Sequence, residues 1–176
     1  MDRFTLFEPL YEHSVSGSSW SESMIAWAVH LLGEDTDTAS LRILAGLPRG
    51  SYEAEVKEYF AATLFELGQG PISDVERCLG EARVIAGAIV RGEVSPIEGV
   101  ATIHSRAVSP LNHPTVLQPW CDLDSGFRTR AGSTKIDKLD GDALIVAITG
   151  FAEEFLSVDP SEQLQLIEAD WSTGSI

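Results

Sequence analysis

The sequence predicts an all-α fold, a compact bundle of about seven or eight short helices around a central αα-hairpin. The hairpin is predicted from two helix starts. Ser73 lies three residues before Glu76, and Ser95 lies three residues before Glu98. A serine oxygen in this pattern accepts an amide hydrogen of the first turn, and the glutamate bonds back to the serine amide. The other segments with a clear period are helical too, so we expect one helical domain over residues 1–176.

The hairpin also has a predicted turn and two predicted buried faces. Gly92 stands where a left-handed residue would end the first helix, and Pro96 occupies the first position of the second. Apolar or small residues then recur at helical spacing on each helix and are expected in the core. They are Val75, Ala82, Ile85 and Ile89 on the first helix, and Ile97, Val100, Ala101 and His104 on the second.

Four helices are predicted before the hairpin. Apolar residues near the N-terminus form one face of a short helix that we expect Pro9 to break. Ser19 or Ser21 can cap the next helix, which runs to about Leu32. Capping residues are also expected before the following two helices, namely Asp37 and Ser51.

The region after the hairpin is predicted to be mixed. Three prolines and many polar residues predict an irregular loop at about 108–138. Asp140 or Asp142 can start the next helix, although the apolar run at 144–148 would also suit a strand. Asp159, followed by Pro160 and Glu162, predicts the start of the last helix.

The charge of the chain is its most unusual compositional feature. The 176 residues include 27 acidic and 12 basic side chains, a net charge of −15. Small domains more often carry single-digit charges, and such a field repels nucleic acid and anionic membranes while it attracts basic proteins. The acid lies mainly in the segments on either side of the nearly neutral hairpin, which fits a buried hairpin inside an acidic shell.

Cysteine usage and the N-terminal residues predict a cytoplasmic protein. Cys78 and Cys121 are far apart and form neither a C-x-x-C motif nor a disulfide framework. The N-terminus lacks a basic region followed by an apolar run, and no apolar stretch approaches the length of a membrane span.

Most motifs that carry chemistry are missing from the sequence. There is no G-x-S-x-G elbow, and the run GSTK at 132–135 has P-loop residues in the wrong order. Asp122 and Asp124 resemble the start of a calcium loop, but Gly126, Phe127 and Ser133 depart from its pattern. The sequence therefore predicts no cofactor and no catalytic residue in its leading interpretation.

One alternative keeps a chemical role for the chain. His104, His113 and Cys121 fall within a short window and are all residue types that bind zinc. Their spacing is not diagnostic, since each also has an ordinary structural role: a helix face, a turn before Pro114, and packing beside Trp120. The alternative functions are thus a metal-dependent hydrolase that uses these three residues, or an oligomeric structural adaptor.

The leading hypothesis is a non-enzymatic acidic module that binds a basic protein. An immunity protein, an antitoxin or an inhibitor of a nucleic-acid enzyme would act in this way, since acidic surfaces accelerate association with basic partners. The segment GEVSPIEG at 92–99 is similar to turns of small helical bacterial proteins, which implies no activity. The predicted partner-binding residues are Glu34, Asp35, Asp37, Glu53, Glu58, Glu153, Glu154, Asp159 and Glu162.

Overall fold

The computed structural model describes residues 3–128 and 141–172, and this part of the chain is all-helical. A π-helical turn at His104–Val108 and a 3-10 turn at Thr115–Leu117 separate two of its helices. The α-helices are α1 Arg3–Val15, α2 Trp20–Gly33, α3 Ala39–Gly46, α4 Glu53–Glu66, α5 Asp74–Val90, α6 Pro96–Ile103, α7 Gln118–Arg128, α8 Gly141–Ser157 and α9 Pro160–Ser172.

The all-α prediction is confirmed for these residues. The strand considered for residues 144–148 is wrong, because they lie inside α8. None of the described helices combines the length and the hydropathy that crossing a membrane would require.

The chain forms two compact units, Met1–Ser73 and Asp74–Ile176. In the first, α2 packs against α1, α3 and α4. Its centre is aromatic: the Trp27 ring lies 5.4 Å from the Phe7 ring and 5.3 Å from the Phe60 ring. The Trp27 indole also donates a 2.9 Å hydrogen bond to the Leu6 carbonyl, so its polar edge is satisfied inside the core. One domain with a central hairpin, proposed for the whole chain, stays a prediction.

Helix α1 continues through Pro9, so the predicted break at this residue is wrong. A proline inside a helix removes one backbone hydrogen bond and crowds the preceding turn. Here Phe7 on one side and Leu10 and Tyr11 on the other are all buried. Their burial favours a continuous helix and offsets the local cost of the proline.

The predicted caps of the first unit are partly correct. Ser19 caps α2 in a complete capping box with Glu22, which confirms this start. The predicted Asp37 cap is wrong, because Thr38 accepts the Leu41 amide while Asp37 pairs with Arg42.

The predicted Ser51 cap of α4 is also wrong. Tyr52 holds the N-cap position without a side-chain cap bond, and the Ser51 hydroxyl instead donates to the Pro48 carbonyl. The Pro48 carbonyl therefore takes the Ser51 hydroxyl in a local turn, and this side chain does not cap α4.

Helix α5 is the packing centre of the second unit, where it contacts α6, α8 and α9. Its predicted core residues Val75, Ala82, Ile85 and Ile89 are buried, as expected. On α6, Val100 is buried, whereas Ile97 is 44% exposed and does not belong to the predicted core face. The buried face of α6 is therefore narrower than the helical spacing of its apolar residues predicts.

The turn of the hairpin has the predicted glycine geometry. Gly92 has φ of +72°, and the Glu93 amide donates to the Ala88 carbonyl at 2.9 Å while Gly92 donates to Ile89. These two bonds are those of a Schellman C-cap. Gly99 then lets α6 approach α5 closely, because a Cβ atom there would lie 2.5 Å from Cδ1 of Ile89.

The capping box predicted at the start of α6 is wrong. Ser95 does occupy the N-cap position and Pro96 the first turn, but the Ser95 side chain makes no cap hydrogen bond. Proline at the first position already supplies a favourable φ and has no amide hydrogen to satisfy. The sequence thus predicted the N-cap position of Ser95 correctly but not the hydrogen bonding of its side chain.

The two serine caps allow a direct comparison. Ser19→Ala should destabilise the protein by about 1 kcal/mol, because the Ser19 hydroxyl oxygen accepts the Glu22 amide hydrogen at 3.2 Å. Ser95→Ala should change the free energy of unfolding by only a few tenths, since no cap bond is lost. Urea denaturation of both variants measures this difference, and equal costs would contradict it.

Part of the loop predicted at about 108–138 is a helix. Residues 118–128 form α7, because Pro119 lies in its first turn, where a proline is tolerated, and Trp120 and Leu123 are buried. The Trp120 ring packs 4.8 Å from the Phe151 ring and 5.5 Å from the Phe155 ring. Residues 129–140, the rest of the predicted loop, lie outside the described residues.

The starts of α8 and α9 lie close to the predicted positions. Helix α8 begins at Gly141 with Asp142 in its first turn, whereas Asp140 lies outside the described residues. The Asp159 carboxylate accepts hydrogen bonds from the Ser161 and Glu162 amides, which confirms this cap of α9.

Candidate metal centre

His104, His113 and Cys121 come together in the second unit. His104 begins the π-helical turn after α6, His113 lies in the loop before the 3-10 turn, and Cys121 lies near the start of α7. One ligand atom from each of the three side chains lies within 4.8 Å of the other two. Residues whose spacing was not diagnostic are therefore neighbours in space.

An unusual helical turn follows the first of these residues. The Ser109 amide donates to the His104 carbonyl at 2.9 Å, a bond across five residues rather than four. Such π-helical turns are rare and often occur at functional sites. The turn begins at His104, directly after the last residue of α6.

The backbone of the second ligand is held in a costly conformation. Asn112 and His113 have φ of +56° and +60°, in the left-handed region that residues with a Cβ atom seldom adopt. Each such residue costs on the order of 1 kcal/mol. A 2.9 Å bond from the His113 amide to the Val108 carbonyl holds this turn, and such a backbone conformation at a candidate site motivates a hypothesis of function.

A buried carboxylate contacts the first ligand. Asp124 is only 5% exposed, and its Oδ2 atom lies 3.4 Å from Nδ1 of His104. Cys121 and Asp124 are three residues apart on α7, so one face of this helix presents both the thiol and the carboxylate. The Asp124 carboxylate therefore faces an imidazole of the candidate site.

The three donors fit a zinc-class ion. Zinc binds imidazole nitrogen at about 2.0–2.1 Å and thiolate sulfur at about 2.3 Å, usually in a tetrahedron. Those bond lengths place the donor atoms of a tetrahedral site roughly 3.3–3.6 Å apart. The ligand atoms lie within 4.8 Å of one another, so a tetrahedral ion would need them to approach by about 1 Å.

Solvent can reach the centre. His113 is exposed, while His104 and Cys121 are half-buried. A tetrahedral ion held by these three side chains has one remaining position, which is typical of catalytic rather than structural zinc sites.

The two cysteines of the chain are chemically different. Cys78 is fully buried in α5, and burial raises the pKa of its thiol to about 11. It therefore stays a protonated, inert core residue at neutral pH. Cys121 is half-buried and lies beside two imidazoles, so it is the cysteine suited to metal binding.

Three of the nine predicted partner-binding residues have a structural role in the folded chain. The Arg42 guanidinium bonds Asp37 and lowers the pKa of that carboxyl, and Lys57 does the same for Glu53. Asp159 caps α9.

The other six acidic residues are exposed and have no hydrogen-bond or ion-pair partner for their side chains among the described residues; these are Glu34, Asp35, Glu58, Glu153, Glu154 and Glu162. Their role in binding a partner stays a prediction.

Asp124 is the site residue whose role the sequence did not indicate. The sequence places it beside the cluster, but only the helical conformation of residues 118–128 turns it toward the same side as Cys121. If residues 118–128 had been predicted as a helix, the spacing of three between Cys121 and Asp124 would have placed both side chains on one face.

Comparison with known proteins does not assign the chain to a class. Searches against protein-family models, curated proteins and solved structures give no significant match. What the described residues show is an all-helical fold with a candidate His2Cys metal centre.

Proposed function

We propose that this protein binds a zinc-class divalent ion through His104, His113 and Cys121 and acts as a metal-dependent hydrolase. The observation that carries the proposal is the convergence of these three side chains from three separate backbone elements. The left-handed turn at His113 supports it, since sparsely populated backbone conformations cluster at functional sites. Two imidazoles and a thiolate favour zinc over the hard ions magnesium and calcium.

The open position defines the reaction class. An ion in such a site lowers the pKa of a bound water to about 7 and polarises a substrate carbonyl or phosphoryl group. His104 and Cys121, which are half-buried, and His113, which is exposed, would hold the ion, and it would be accessible to a substrate on the side of His113. These residues would therefore be ligands, with water as the attacking group, in hydrolysis of an ester, amide or phosphate bond.

Histidine variants test the metal centre with controls from the same chain. His104→Ala and His113→Ala should each weaken zinc binding at least about 100-fold, because even lost partners of ligands cost 10–100-fold. His13→Ala and His30→Ala remove exposed histidines of the first unit and should leave the affinity unchanged. Competition with a chromophoric chelator measures all four. Equal affinities across the set would overturn the proposed centre.

Hydrolysis is tested separately from binding. The wild-type protein with one equivalent of zinc should hydrolyse an activated ester faster than the metal-free protein, and His113→Ala should abolish the difference. If zinc binds tightly but adds no hydrolysis of ester, amide or phosphate probes, the centre is structural and the hydrolase proposal is wrong.

Binding of a basic protein is the second candidate function. It is supported by the net charge of −15 and by exposed carboxylates such as those of Glu34, Asp35 and Glu58, whose side chains have no partner among the described residues. Asp37 and Glu53 already have cationic partners within the chain and would contribute less.

Two charge-reversal variants test this second candidate. Glu34→Lys with Asp35→Lys should slow association with a basic partner and reduce its salt dependence, because exposed charges act mainly on association rate. Glu153→Lys with Glu154→Lys tests the C-terminal residues in the same way. Stopped-flow association with a basic protein such as an RNase measures both. If neither pair changes the rate or its salt dependence, the acidity has no binding role.

A further inference from the structure

Asp124 is placed to control how His104 would bind a metal ion. It is a buried carboxylate on α7, and its Oδ2 atom lies 3.4 Å from Nδ1 of His104. Metal-bound histidines commonly donate their second ring N–H to a carboxylate, which fixes the tautomer and the ring orientation. This inference rests on the proposed metal centre and adds a residue that is not one of its ligands.

We propose that Asp124 is a positioning residue that holds the proton of His104 on Nδ1 and reserves Nε2 for zinc. An imidazole with its hydrogen on Nδ1 carries its lone pair on Nε2, and only that lone pair can bind a metal ion. The distance of 3.4 Å exceeds the usual range for an N–H···O bond. Zinc at Nε2 would make the ring a stronger donor and would favour a shorter contact with Asp124.

The surroundings of Asp124 differ from those of another buried acid in the same unit. Glu81 is 1% exposed and faces the guanidinium groups of Arg77 and Arg106 at 3.3 and 3.5 Å. Those groups are always charged. The His104 imidazole is charged only when it is protonated. If zinc bound at Nε2, the ring would become part of a cationic unit, and Asp124 would then face a positive charge.

The same helix supplies a matched control. Asp122 lies two residues before Asp124, is exposed, and accepts a hydrogen bond from the Gln118 amide group. Asp124→Asn should weaken zinc binding about 10-fold, and Asp124→Ala about 10–100-fold, the range for lost second partners of metal-bound histidines. Asp122→Asn removes the same charge from the same helix and should stay within twofold of wild type.

Two measurements separate a positioning role from a merely structural one. The thermal midpoint of the metal-free variants reports folding, and the visible spectrum of the cobalt-loaded variants reports the ligand set. A positioning role predicts lower affinity and an altered cobalt spectrum in Asp124→Asn at an unchanged midpoint of the metal-free protein. Zinc affinity within twofold of wild type, or a loss matched by Asp122→Asn, would overturn the inference.

The wild-type protein offers a test that needs no variant. Nitrogen-15 NMR of the zinc-loaded protein should show the His104 proton on Nδ1 and the metal on Nε2. Zinc bound to Nδ1 of His104 would overturn the inference but leave the proposed centre intact. A wild-type protein that binds no zinc would contradict the centre itself, and the role of Asp124 with it.

Discussion

Ile85→Asp is expected to unfold the second unit. Ile85 is 4% exposed on α5, the helix that contacts α6, α8 and α9. An unpaired charge in this position costs several kcal/mol, against a total stability of about 5–15 kcal/mol for a typical domain. Val90→Asp places the same charge at a position of the same helix that is 38% exposed, and it should cost much less.

The indole signals in two-dimensional NMR distinguish the units in this experiment. Trp27 lies in the core of the first unit and Trp120 in that of the second. The dispersed Trp120 signal should be lost in Ile85→Asp and kept in Val90→Asp. An Ile85→Asp protein that melts within a few degrees of wild type would show that α5 does not organise its unit.

Arg83→Ala should have the next largest effect on stability, about 2–3 kcal/mol. The Arg83 guanidinium donates to the Leu156 and Val158 carbonyls at 3.1 and 3.0 Å, and to the Gln163 side chain at 2.7 Å. It thereby satisfies the C-terminal carbonyls of α8 and joins α5 to α8 and α9. Hydrogen bonds to charged groups contribute about 1.5–3 kcal/mol each. The net loss of stability is smaller than their sum, because water can bind the carbonyls after the guanidinium is removed.

Two further variants define the role of Arg83 in denaturation experiments. Arg83→Lys keeps the charge but cannot reach several acceptors at once, so it should recover at most about half of the lost stability. Arg91→Ala breaks an exposed pair with Glu93 and should cost less than about 1 kcal/mol. Similar losses for Arg83→Ala and Arg91→Ala would show that the bonds to α8 contribute little.

The helix starts and stops show how far local sequence signals reach. The positions of the caps at Ser19, Gly92, Ser95 and Asp159 follow from residue type alone, and all four are correct. Local signals failed where neighbours compete: Thr38 replaces Asp37 because Arg42 binds the aspartate. They also failed at Pro9, where burial on both sides of the proline outweighs its helix-breaking tendency.

The candidate site could be predicted only in part. His104, His113 and Cys121 are recognisable from their residue types, but nothing in their spacing shows that they meet. Their convergence depends on a π-helical turn and a left-handed turn at Asn112 and His113, and neither has a reliable sequence signal. The short α7 helix that presents Cys121 is equally hard to foresee in a segment rich in proline and polar residues.

X-ray absorption spectroscopy tests the proposed metal centre of two imidazoles and one thiolate most directly. The wild-type protein should retain one zinc ion after dialysis, with one sulfur at about 2.3 Å and nitrogen or oxygen neighbours at about 2.0–2.1 Å. Cys121→Ser should remove the sulfur contribution, while Cys78→Ala should keep it. A zinc environment without sulfur, or no retained zinc, would contradict the proposed centre.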